Sequence, residues 1–406
     1  MKAKYNDMNI LFISYGLSST VGGTERVTRV LIDYFEHKGC TCYISYTMGD
    51  DANFPEDHKF LVNYRSSYSE FERQMDAFFE HAHVDLIINE NICEYNVSRW
   101  LRKKKKEHKS LPIIYCLHNT PDLFVRPIEG YSLRALKNRL FKVCTGKTVY
   151  MKKHQRMYDV CDRYVVLSPS YIEDFCRIFN LPNDGKVVSI PNPISMQVEK
   201  NDDKKENIFL VVARLAEKQK NISAILRIWK NFYPHHKNYK LQIVGYGPDE
   251  QFLHDYAKSL SLERVEFTGK TATPQKYYSK AKFFLMTSRY EGLPMTVIES
   301  MQFNCIPIVY NSFSAIGDII ESGMNGILVQ DNADKVFLNA MNYLVENEDK
   351  QMYIKNNLQF SLLKFSKENI GYLWEKLFED LLKNNQDDSW GRDSSSRLND
   401  SKKVNL

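Results

Sequence analysis

The amino-acid sequence predicts an α/β fold made of two doubly wound domains. The chain has 406 residues, about two to three times the size of a usual domain. Hydrophobic residues make up 43% of it and charged residues 26%, as in ordinary globular proteins. Short apolar runs alternate with amphipathic stretches of helix length along most of the chain. A single small domain and a largely disordered chain are therefore both excluded.

Each half of the chain carries its own series of apolar runs with the length and composition of buried strands. In the first half the runs are residues 10–14, 85–88, 113–117, 164–167 and 187–190, and in the second half they are 207–212, 240–244, 265–267, 283–286 and 306–310. Because helix-length sequence separates the runs, each series predicts βαβ units around a parallel sheet. Prolines 191 and 193 and the polar stretch 199–207 interrupt the pattern and predict the join between two domains.

We therefore expect a first domain over residues 1–192 and a second domain over residues 193–365. After Ser366, which can cap a helix, apolar residues recur at helical spacing and must be buried against another surface. They are Ile370, Leu373, Trp374, Leu377, Phe378 and Leu381. This pattern predicts a C-terminal helix over residues 366–383. Residues 384–406 are mostly polar, and we expect them to form a disordered tail.

The sequence carries no pattern typical of export or of a membrane span. Its apolar runs last about six residues, whereas a spanning helix needs roughly twenty. Asn6 and Asp7 precede the first apolar stretch, which is too short for a signal peptide. The eight cysteines form no Cys-x-x-Cys pair and do not cluster with histidine at metal-ligand spacing. We expect reduced, largely buried thiols in a cytoplasmic protein.

Positive charge is concentrated in one segment of the chain. Residues 99–163 contain seventeen Lys and Arg against five Asp and Glu, a net charge of +12, whereas the whole chain carries +5. Such an excess favours an anionic partner, which could be membrane phosphates, a phosphorylated acceptor or nucleic acid. A solvated helix face is the alternative explanation. We expect no nucleic-acid partner, because no aromatic platform for bases accompanies the basic run.

Glycine and charged residues follow several predicted strands at the carboxyl ends, where ligands bind in open α/β sheets. Gly22 and Gly23 follow the first strand and would let the amides of a helix N-terminus approach an anion. In the second half, Arg214 and Lys220 follow one strand and could grip a pyrophosphate, and the turn that contains Gly247 follows the next. Taken singly, each feature is more often an ordinary surface loop. The combination favours an anion site.

A third strand of the second half is followed by two glutamates, eight positions apart, in the segment 288–299. Gly292 frees the backbone between them, and Pro294 suits the first turn of a helix whose amides offer an anion site. Eight helical residues turn about 80° beyond two full turns and rise about 12 Å. We therefore expect Glu291 and Glu299 on nearly the same side, one taking hydroxyls of a sugar and the other hydroxyls of a ribose. A structural role for Glu299, such as pairing with a nearby base, is the alternative.

Together these residues resemble the retaining glycosyltransferases of family 4, whose GT-B architecture consists of two Rossmann-like domains that face each other across a cleft. The resemblance spans roughly residues 9–382. It rests on Gly-Gly-x-Glu at 22–25, Arg214 with Lys220, Gly245-x-Gly247, Ile190-Pro191-Asn192 and, most specifically, Glu291-Gly292-Leu293-Pro294 with Glu299.

The resemblance implies a role for each of these positions. Arg214 and Lys220 would bind the donor diphosphate, Glu291 the transferred sugar and Glu299 the ribose. His118, which follows a strand of the first domain, would lie beside the donor sugar as a second catalytic residue. The remaining donor-binding residues would be Gly22, Gly23, Gly247, Gly292, Leu293 and Pro294.

One position departs from the family pattern. In many relatives the lysine follows the arginine by five positions, whereas here Lys218 and Lys220 follow Arg214 by four and six. We assign Lys220, because the Lys-Asn pair leads into the apolar start of the next helix, but Lys218 remains the alternative.

The implied activity is that of a hexosyltransferase. It would move a sugar, with retained anomeric configuration, from a nucleotide-diphosphate sugar, a UDP-sugar being favoured. The acceptor would be a glycan or a lipid-linked molecule of cell-surface polysaccharide or lipopolysaccharide synthesis. No Asp-x-Asp occurs in the sequence, so we expect neither a bridging metal nor another cofactor. A sugar-nucleotide epimerase or hydrolase of the same architecture is the alternative, whereas a non-enzymatic scaffold would lack these donor residues.

The resemblance also assigns the basic segment and the C-terminal helix. The first domain would bind the acceptor, and Arg99–Lys109 and Arg134–Arg156 would dock on an anionic membrane surface. The protein would then be cytoplasmic, free or peripherally attached to the inner face of the plasma membrane. The helix over residues 366–383 would pack back on the first domain.

Overall fold

The computed structural model confirms the predicted α/β fold, with one seven-stranded and one six-stranded sheet. It describes residues 8–17, 23–49, 51–123, 147–196 and 204–400. The first sheet has the strand order β3-β2-β1-β4-β5-β6-β7, and the second has the order β10-β9-β8-β11-β12-β13. Every neighbouring pair of strands in both sheets is parallel. Both sheets are therefore doubly wound, with the change of direction beside β1 and beside β8.

The strands are short and mostly buried, as parallel strands covered by helices on both faces must be. In chain order they are β1 Asn9–Ile13, β2 Thr41–Tyr46, β3 Lys59–Leu61, β4 Leu86–Glu90, β5 Ile113–Leu117, β6 Arg163–Val166, β7 Val187–Ser189, β8 Glu206–Val212, β9 Lys240–Val244, β10 Val265–Gly269, β11 Ala281–Met286, β12 Ile306–Asn311 and β13 Ile327–Gln330.

The helices alternate with the strands and cover the sheets. In the described part of the chain they are α1 Gly23–His37, α2 Tyr68–Ala82, α3 Tyr95–Glu107, α4 Lys147–Val160, α5 Ser170–Phe179, α6 Glu217–Lys220, α7 Ile222–Phe232, α8 Glu250–Ser259, α9 Gln275–Tyr278, α10 Met295–Gln302, α11 Ala315–Ile319, α12 Asp334–Glu346, α13 Glu348–Leu362 and α14 Lys367–Asp400. None of them combines the length and the apolar character that a membrane span requires.

The sequence did not predict three of the strands, which are β2, β3 and β13. β3 and β13 are edge strands of three and four residues, and β2 mixes Cys, Ser and Tyr with few aliphatic residues. A run that short, or that poor in Val, Ile and Leu, lacks the apolar signal of a central parallel strand. Pairing with β1 and β12, which is a tertiary interaction, makes strands of β2 and β13.

The C-terminal helix α14 follows the second domain in the chain but packs on the first domain. Ile370, Trp374, Phe378 and other residues of its apolar stripe share a hydrophobic core with α1 and the first sheet. The ring of Phe378 stacks on that of Phe35 at 5.0 Å. The helix begins beside Ser366, whose hydroxyl accepts a hydrogen bond from the Asn369 amide.

The helix is longer than expected. It continues to Asp400, whereas the sequence predicted its end at residue 383 and a disordered tail beyond. No proline, the residue that breaks a helix most strongly, occurs between residues 367 and 400.

The packing of α14 on the first domain generates a stability prediction. We expect Phe378→Ala to lower the free energy of unfolding by about 3 to 5 kcal/mol, because it leaves a cavity beside Phe35. Tyr372→Ala on the same helix removes an exposed ring and should change stability by less than about 0.5 kcal/mol. Urea denaturation of both variants measures the difference. Equal stabilities would show that α14 is not held in this position.

Candidate active site

The loop after β8 carries the predicted cationic residues. Arg214 is exposed and forms no ion pair with any residue that the structure describes. The chain then makes the single turn α6, and Asn221 ends it in the left-handed conformation with φ of 50°. This reversal directs α7 back along the sheet and leaves Lys218 and Lys220 on the short turn between strand and helix. Lys218 points to solvent, whereas Lys220 is partly buried.

The turn after β9 packs directly on this loop. The Leu215 amide donates to the carbonyl of Tyr246 at 2.9 Å, and the Asp249 amide donates to the carbonyl of Leu215 at 3.0 Å. A Cβ atom at Gly247 would lie 2.3 Å from the Leu215 oxygen, so no larger residue fits without moving the backbone. Gly247 therefore serves the close approach of two backbones, and this packing fixes the loop that carries Arg214.

Lys220 and Glu291 form the central ion pair of the second domain. Lys220 Nζ lies 2.5 Å from Glu291 Oε1, and Gln219 Nε2 donates to Glu291 Oε2 at 3.3 Å. The side chains of Lys220 and Glu291 are 17% and 10% exposed. At this burial the pair is weakly screened by solvent. Two residues that are 71 positions apart in the chain thus meet at the ends of β8 and β11.

Arg289, which the sequence analysis did not single out, holds these two loops together. Its guanidinium donates to the carbonyl of Glu217 and to Asn221 Oδ1, each at 2.8 Å, and its amide donates to the carbonyl of Gln219 at 2.8 Å. Three hydrogen bonds to one turn leave little freedom for Lys220, the residue between Gln219 and Asn221. The sequence marks Arg289 only by its position two residues before Glu291, and no spacing pattern distinguishes it from a surface arginine.

The two domains touch at Gly292. A Cβ atom on Gly292 would lie 2.4 Å from the backbone oxygen of His118, so only glycine permits this approach. Tyr171 of α5 adds a second contact between the domains, because its hydroxyl donates to the carbonyl of Glu291 at 2.6 Å. His118 and Glu291, predicted from opposite halves of the chain, are therefore brought to the same place.

The residues after Gly292 form a tight entry into α10. Leu293 and Pro294 are buried, and the helix begins at Met295. Glu291 consequently precedes the helix, whereas the sequence analysis placed it on one helix with Glu299. The helical spacing that we used to relate the two glutamates therefore does not apply.

Glu299 is more deeply buried than its predicted role required. Its carboxylate accepts a hydrogen bond from Tyr278 at 3.0 Å and lies 3.7 Å from a guanidinium nitrogen of Arg26, on α1 of the first domain. The second oxygen, Oε1, has no hydrogen bond within the described residues. Burial raises the pKa of Glu299, and the charge of Arg26 opposes this effect. Oε1 is the oxygen that faces Arg26, and a carboxylate oxygen that accepts no hydrogen bond can still bind hydroxyl groups of a ligand.

His118 has a partner that the sequence analysis missed. Its Nε2 contacts the carboxylate of Glu90, the last residue of β4, and the side chains of both residues are almost fully buried. Strands β4 and β5 are neighbours, so their carboxyl ends place the two groups side by side. A glutamate that ends an apolar strand is the signal that could have revealed this pair.

The structure gives less support to the predicted roles of the two glycines at the start of α1. Gly23 is exposed at the start of α1, and a Cβ atom there would contact no other atom within 4 Å. Gly22 lies outside the described residues. Among the described residues, no three histidine, cysteine or carboxylate side chains come together as a metal site.

Comparison with known proteins identifies the second domain. Residues 195–359 match the family model for "Glycosyl transferases group 1". This range begins near the predicted join between domains and contains Arg214, Lys220, Glu291 and Glu299.

Three relatives match over most of their own lengths. The amylovoran biosynthesis glycosyltransferase AmsD of Erwinia amylovora is 26% identical over 84% of this chain and 90% of its own. The lipopolysaccharide 1,6-galactosyltransferase of Salmonella typhimurium is 25% identical over 85% of this chain and 92% of its own. From Campylobacter jejuni comes the third, the GalNAc-alpha-(1->4)-GalNAc-alpha-(1->3)-diNAcBac-PP-undecaprenol alpha-1,4-N-acetyl-D-galactosaminyltransferase, with 29% identity over 69% of this chain and 78% of its own.

Solved structures share the fold over nearly the whole chain. The apo form of the lipopolysaccharide outer core galactosyltransferase WaaB has a TM-score of 0.68 and 19% identity, and covers 93% of this chain and 99% of its own. Anabaena HepE in complex with UDP-glucose has a TM-score of 0.67 and 16% identity, and covers 92% of this chain and 100% of its own. At these identities the likeness shows the fold, which is GT-B.

The burial of Glu299 generates a prediction on pH and stability. Because the pKa of Glu299 is raised in the folded state, its ionised form at neutral pH destabilises the fold, and protonation at lower pH removes that cost. We expect Glu299→Gln to raise the thermal midpoint by roughly 2 to 6 °C at pH 7. The advantage should shrink as the pH falls through the raised pKa. Thermal unfolding between pH 7 and pH 4.5 measures both effects.

A matched control uses Glu346→Gln, an exposed glutamate of the same domain, which should leave the midpoint almost unchanged at every pH. If the Glu299→Gln protein unfolded at or below the wild-type temperature at pH 7, burial of the Glu299 carboxylate would not destabilise the fold as we expect.

Proposed function

Since this chain is a glycosyltransferase of the group 1 family with the GT-B fold, we propose that it is a retaining hexosyltransferase that uses a UDP-sugar. Its acceptor is a glycan or a lipid-linked molecule in the synthesis of cell-surface polysaccharide or lipopolysaccharide. The observation that supports this proposal best is the ion pair of Lys220 and Glu291, because Glu291 precedes Gly292, whose backbone packs on that of His118 in the other domain.

In this proposal, Lys220 and Arg214 bind the donor diphosphate. Arg214 is exposed and has no described ion-pair partner, so its guanidinium is available to a phosphate. Lys220 remains beside Glu291 and can share its ammonium protons with a second acceptor. As the diphosphate leaves, negative charge grows on it, and cations already held in position stabilise that charge without reorganising. Arg289 contributes by fixing the turn that carries Lys220.

Glu291 and His118 bind the transferred sugar. Glu291 offers a carboxylate that Lys220 orients, and such a group accepts hydrogen bonds from sugar hydroxyls. We propose that the acceptor hydroxyl attacks from the face that the diphosphate leaves, which retains the anomeric configuration. The bond from the anomeric carbon to the diphosphate oxygen breaks, and the hydroxyl proton passes to the departing diphosphate. Glu299, whose Oε1 faces Arg26 and accepts no hydrogen bond from a described residue, takes the ribose hydroxyls.

The relatives support the choice of donor and acceptor. Solved neighbours with this fold are described with UDP and with UDP-glucose. The matched relatives are named for amylovoran, lipopolysaccharide and an undecaprenol-linked substrate. A UDP-sugar and a surface-glycan acceptor are therefore the first substrates to test.

A pair of lysine variants tests the diphosphate site and decides between the two candidate lysines. We expect Lys220→Ala to lower sugar transfer by about 10- to 100-fold, because it removes one charge-assisted contact to the diphosphate and leaves Glu291 without its partner. Lys218→Ala, two positions away and exposed, should retain activity within about twofold. Steady-state transfer from a UDP-sugar measures both. The reverse ranking would move the site to Lys218.

Two further measurements complete this test. Calorimetric titration with UDP, GDP and ADP identifies the base, and the proposal requires UDP to bind most tightly. Incubation of the UDP-sugar without an acceptor addresses the alternative of an epimerase or hydrolase. Release of a free, epimerised sugar at the rate of transfer would favour that alternative.

The basic segment supports a membrane-facing role, but with fewer residues than the sequence suggested. Within Arg99–Lys109, three lysines of α3 are used internally. Lys103 and Lys104 pair with Asp76 at 2.8 and 3.0 Å, and Lys105 pairs with Asp162 at 2.8 Å. Besides Arg99, which lies over the ring of Tyr68, three basic residues of the segment, Arg102, Lys106 and Lys109, are exposed and form no ion pair with a described residue. Of the second segment, Arg134–Arg156, residues 134–146 lie outside the described residues.

We propose that Arg102 and Lys106 of α3, together with Lys109 just after the helix, contact anionic lipid headgroups. Replacing Arg102, Lys106 and Lys109 together by glutamine should weaken binding to anionic vesicles by up to about 100-fold, since each charge contributes up to about 1 kcal/mol. Co-sedimentation with vesicles rich in phosphatidylglycerol measures the affinity. High salt should abolish the difference between this variant and the wild type.

The control variant replaces Lys230, Lys237 and Lys258 by glutamine. These lysines are exposed on the second domain, so the net charge changes equally while the first domain is untouched. Equal loss of vesicle binding in both triple variants would attribute the affinity to overall charge and contradict a defined docking surface.

A further inference from the structure

Glu90 and His118 form a buried pair of titratable groups that the proposed donor contacts do not explain. Glu90 ends β4, which is flanked by β1 and β5 inside the first sheet. His118 is the first residue after β5. The Glu90 side chain is fully buried and that of His118 is 6% exposed.

The contact between the two side chains fixes one proton. We take His118 Nε2 as the donor and Glu90 Oε2 as the acceptor, since carboxylate oxygens accept hydrogen bonds. The other ring nitrogen, Nδ1, has no hydrogen-bond partner within the described residues, and neither does Glu90 Oε1. Cys116, the residue paired with Glu90 in the strand register, adds no charge, because burial raises the pKa of its thiol well above the usual value.

A buried carboxylate at this position is costly for the fold. Removing a carboxylate from water costs several kcal/mol unless hydrogen bonds or a counter-charge compensate it, and an apolar residue at the end of a buried strand would avoid the cost. The described structure gives Glu90 two side-chain neighbours, His118 and the thiol of Cys116, and neither is a fixed counter-charge. The feature that distinguishes this place is the backbone of Gly292, which packs on His118 directly beside Glu291.

We propose that Glu90 is a positioning residue for sugar transfer. It keeps the proton on Nε2 of His118 and thereby leaves Nδ1 to accept a hydrogen bond from a hydroxyl group of the donor hexose. This inference rests on the proposed function, in which the transferred sugar lies beside both Glu291 and His118. Glu90 itself does not contact the substrate, and the nucleotide part of the donor does not depend on it.

The kinetic experiment compares Glu90→Gln, His118→Ala and the double variant. A glutamine can either donate to or accept from the imidazole, so Glu90→Gln releases control of the ring proton while it preserves the shape. We expect Glu90→Gln to lower kcat for the UDP-sugar at least tenfold, with the Kd for UDP alone changed less than twofold. We also expect the double variant to be no slower than His118→Ala, because Glu90 acts through His118.

Three outcomes would overturn the inference. They are wild-type turnover of Glu90→Gln, an additive loss in the double variant, and a loss of UDP binding as large as the loss of turnover. Glu90→Asp serves as the conservative variant, and we expect it to recover part of the activity that Glu90→Gln loses.

A measurement on the unaltered protein replaces the kinetic comparison if Glu90→Gln folds poorly. In protein labelled with ¹⁵N-histidine, the signals of His118 are assigned by their loss in His118→Gln. We expect the neutral ring to carry its proton on Nε2, and a proton on Nδ1 alone would contradict the inference. If the wild-type protein transfers no sugar from any nucleotide sugar, the proposed function fails, whereas a transferring wild type with a fully active Glu90→Gln leaves the proposed function intact and removes Glu90 from it.

Discussion

The ion pair of Lys220 and Glu291 is the interaction on which the rest of the site depends. It joins the loop after β8 to the loop after β11, and Arg289 ties the same two loops by three hydrogen bonds. In the proposed function, the lysine also binds a phosphate of the donor and the glutamate also binds its sugar. Because the pair is formed before any substrate arrives, the charges need little reorganisation during the reaction, which is the condition under which electrostatic stabilisation is most effective.

The contact between the domains makes a single site of two half-sites. Gly292 allows the backbone of one domain to lie against His118 of the other, and Tyr171 donates across the same junction to the carbonyl of Glu291. Helix α14 joins the domains a second time, because it follows the second sheet in the chain but packs in the core of the first. The relative position of the two domains is thus set by packing at two distant places.

Two buried carboxylates stand out against this well-packed background. Glu299 and Glu90 each have one hydrogen-bonded oxygen and one oxygen without a hydrogen bond among the described residues, in positions where an apolar or amide side chain would be less costly. Both lie where the two domains approach each other, Glu299 facing Arg26 and Glu90 holding His118. Groups that weaken the fold at the junction of two domains are expected where a ligand supplies the missing hydrogen bonds.

The sequence by itself determined the α/β class, the two-sheet organisation and the resemblance to a glycosyltransferase family, because parallel strands buried on both faces are continuous apolar runs and because Glu291-Gly292-Leu293-Pro294 is a local motif. Tertiary structure decided the rest. Edge strands such as β3 become strands through pairing, which leaves little trace in composition. The ion pair of Lys220, the partnership of Glu90 with His118 and the pairing of the α3 lysines join residues far apart in the chain. Spacing along the sequence carries no information on which side chains the crossing helices and parallel strand ends bring within hydrogen-bond distance.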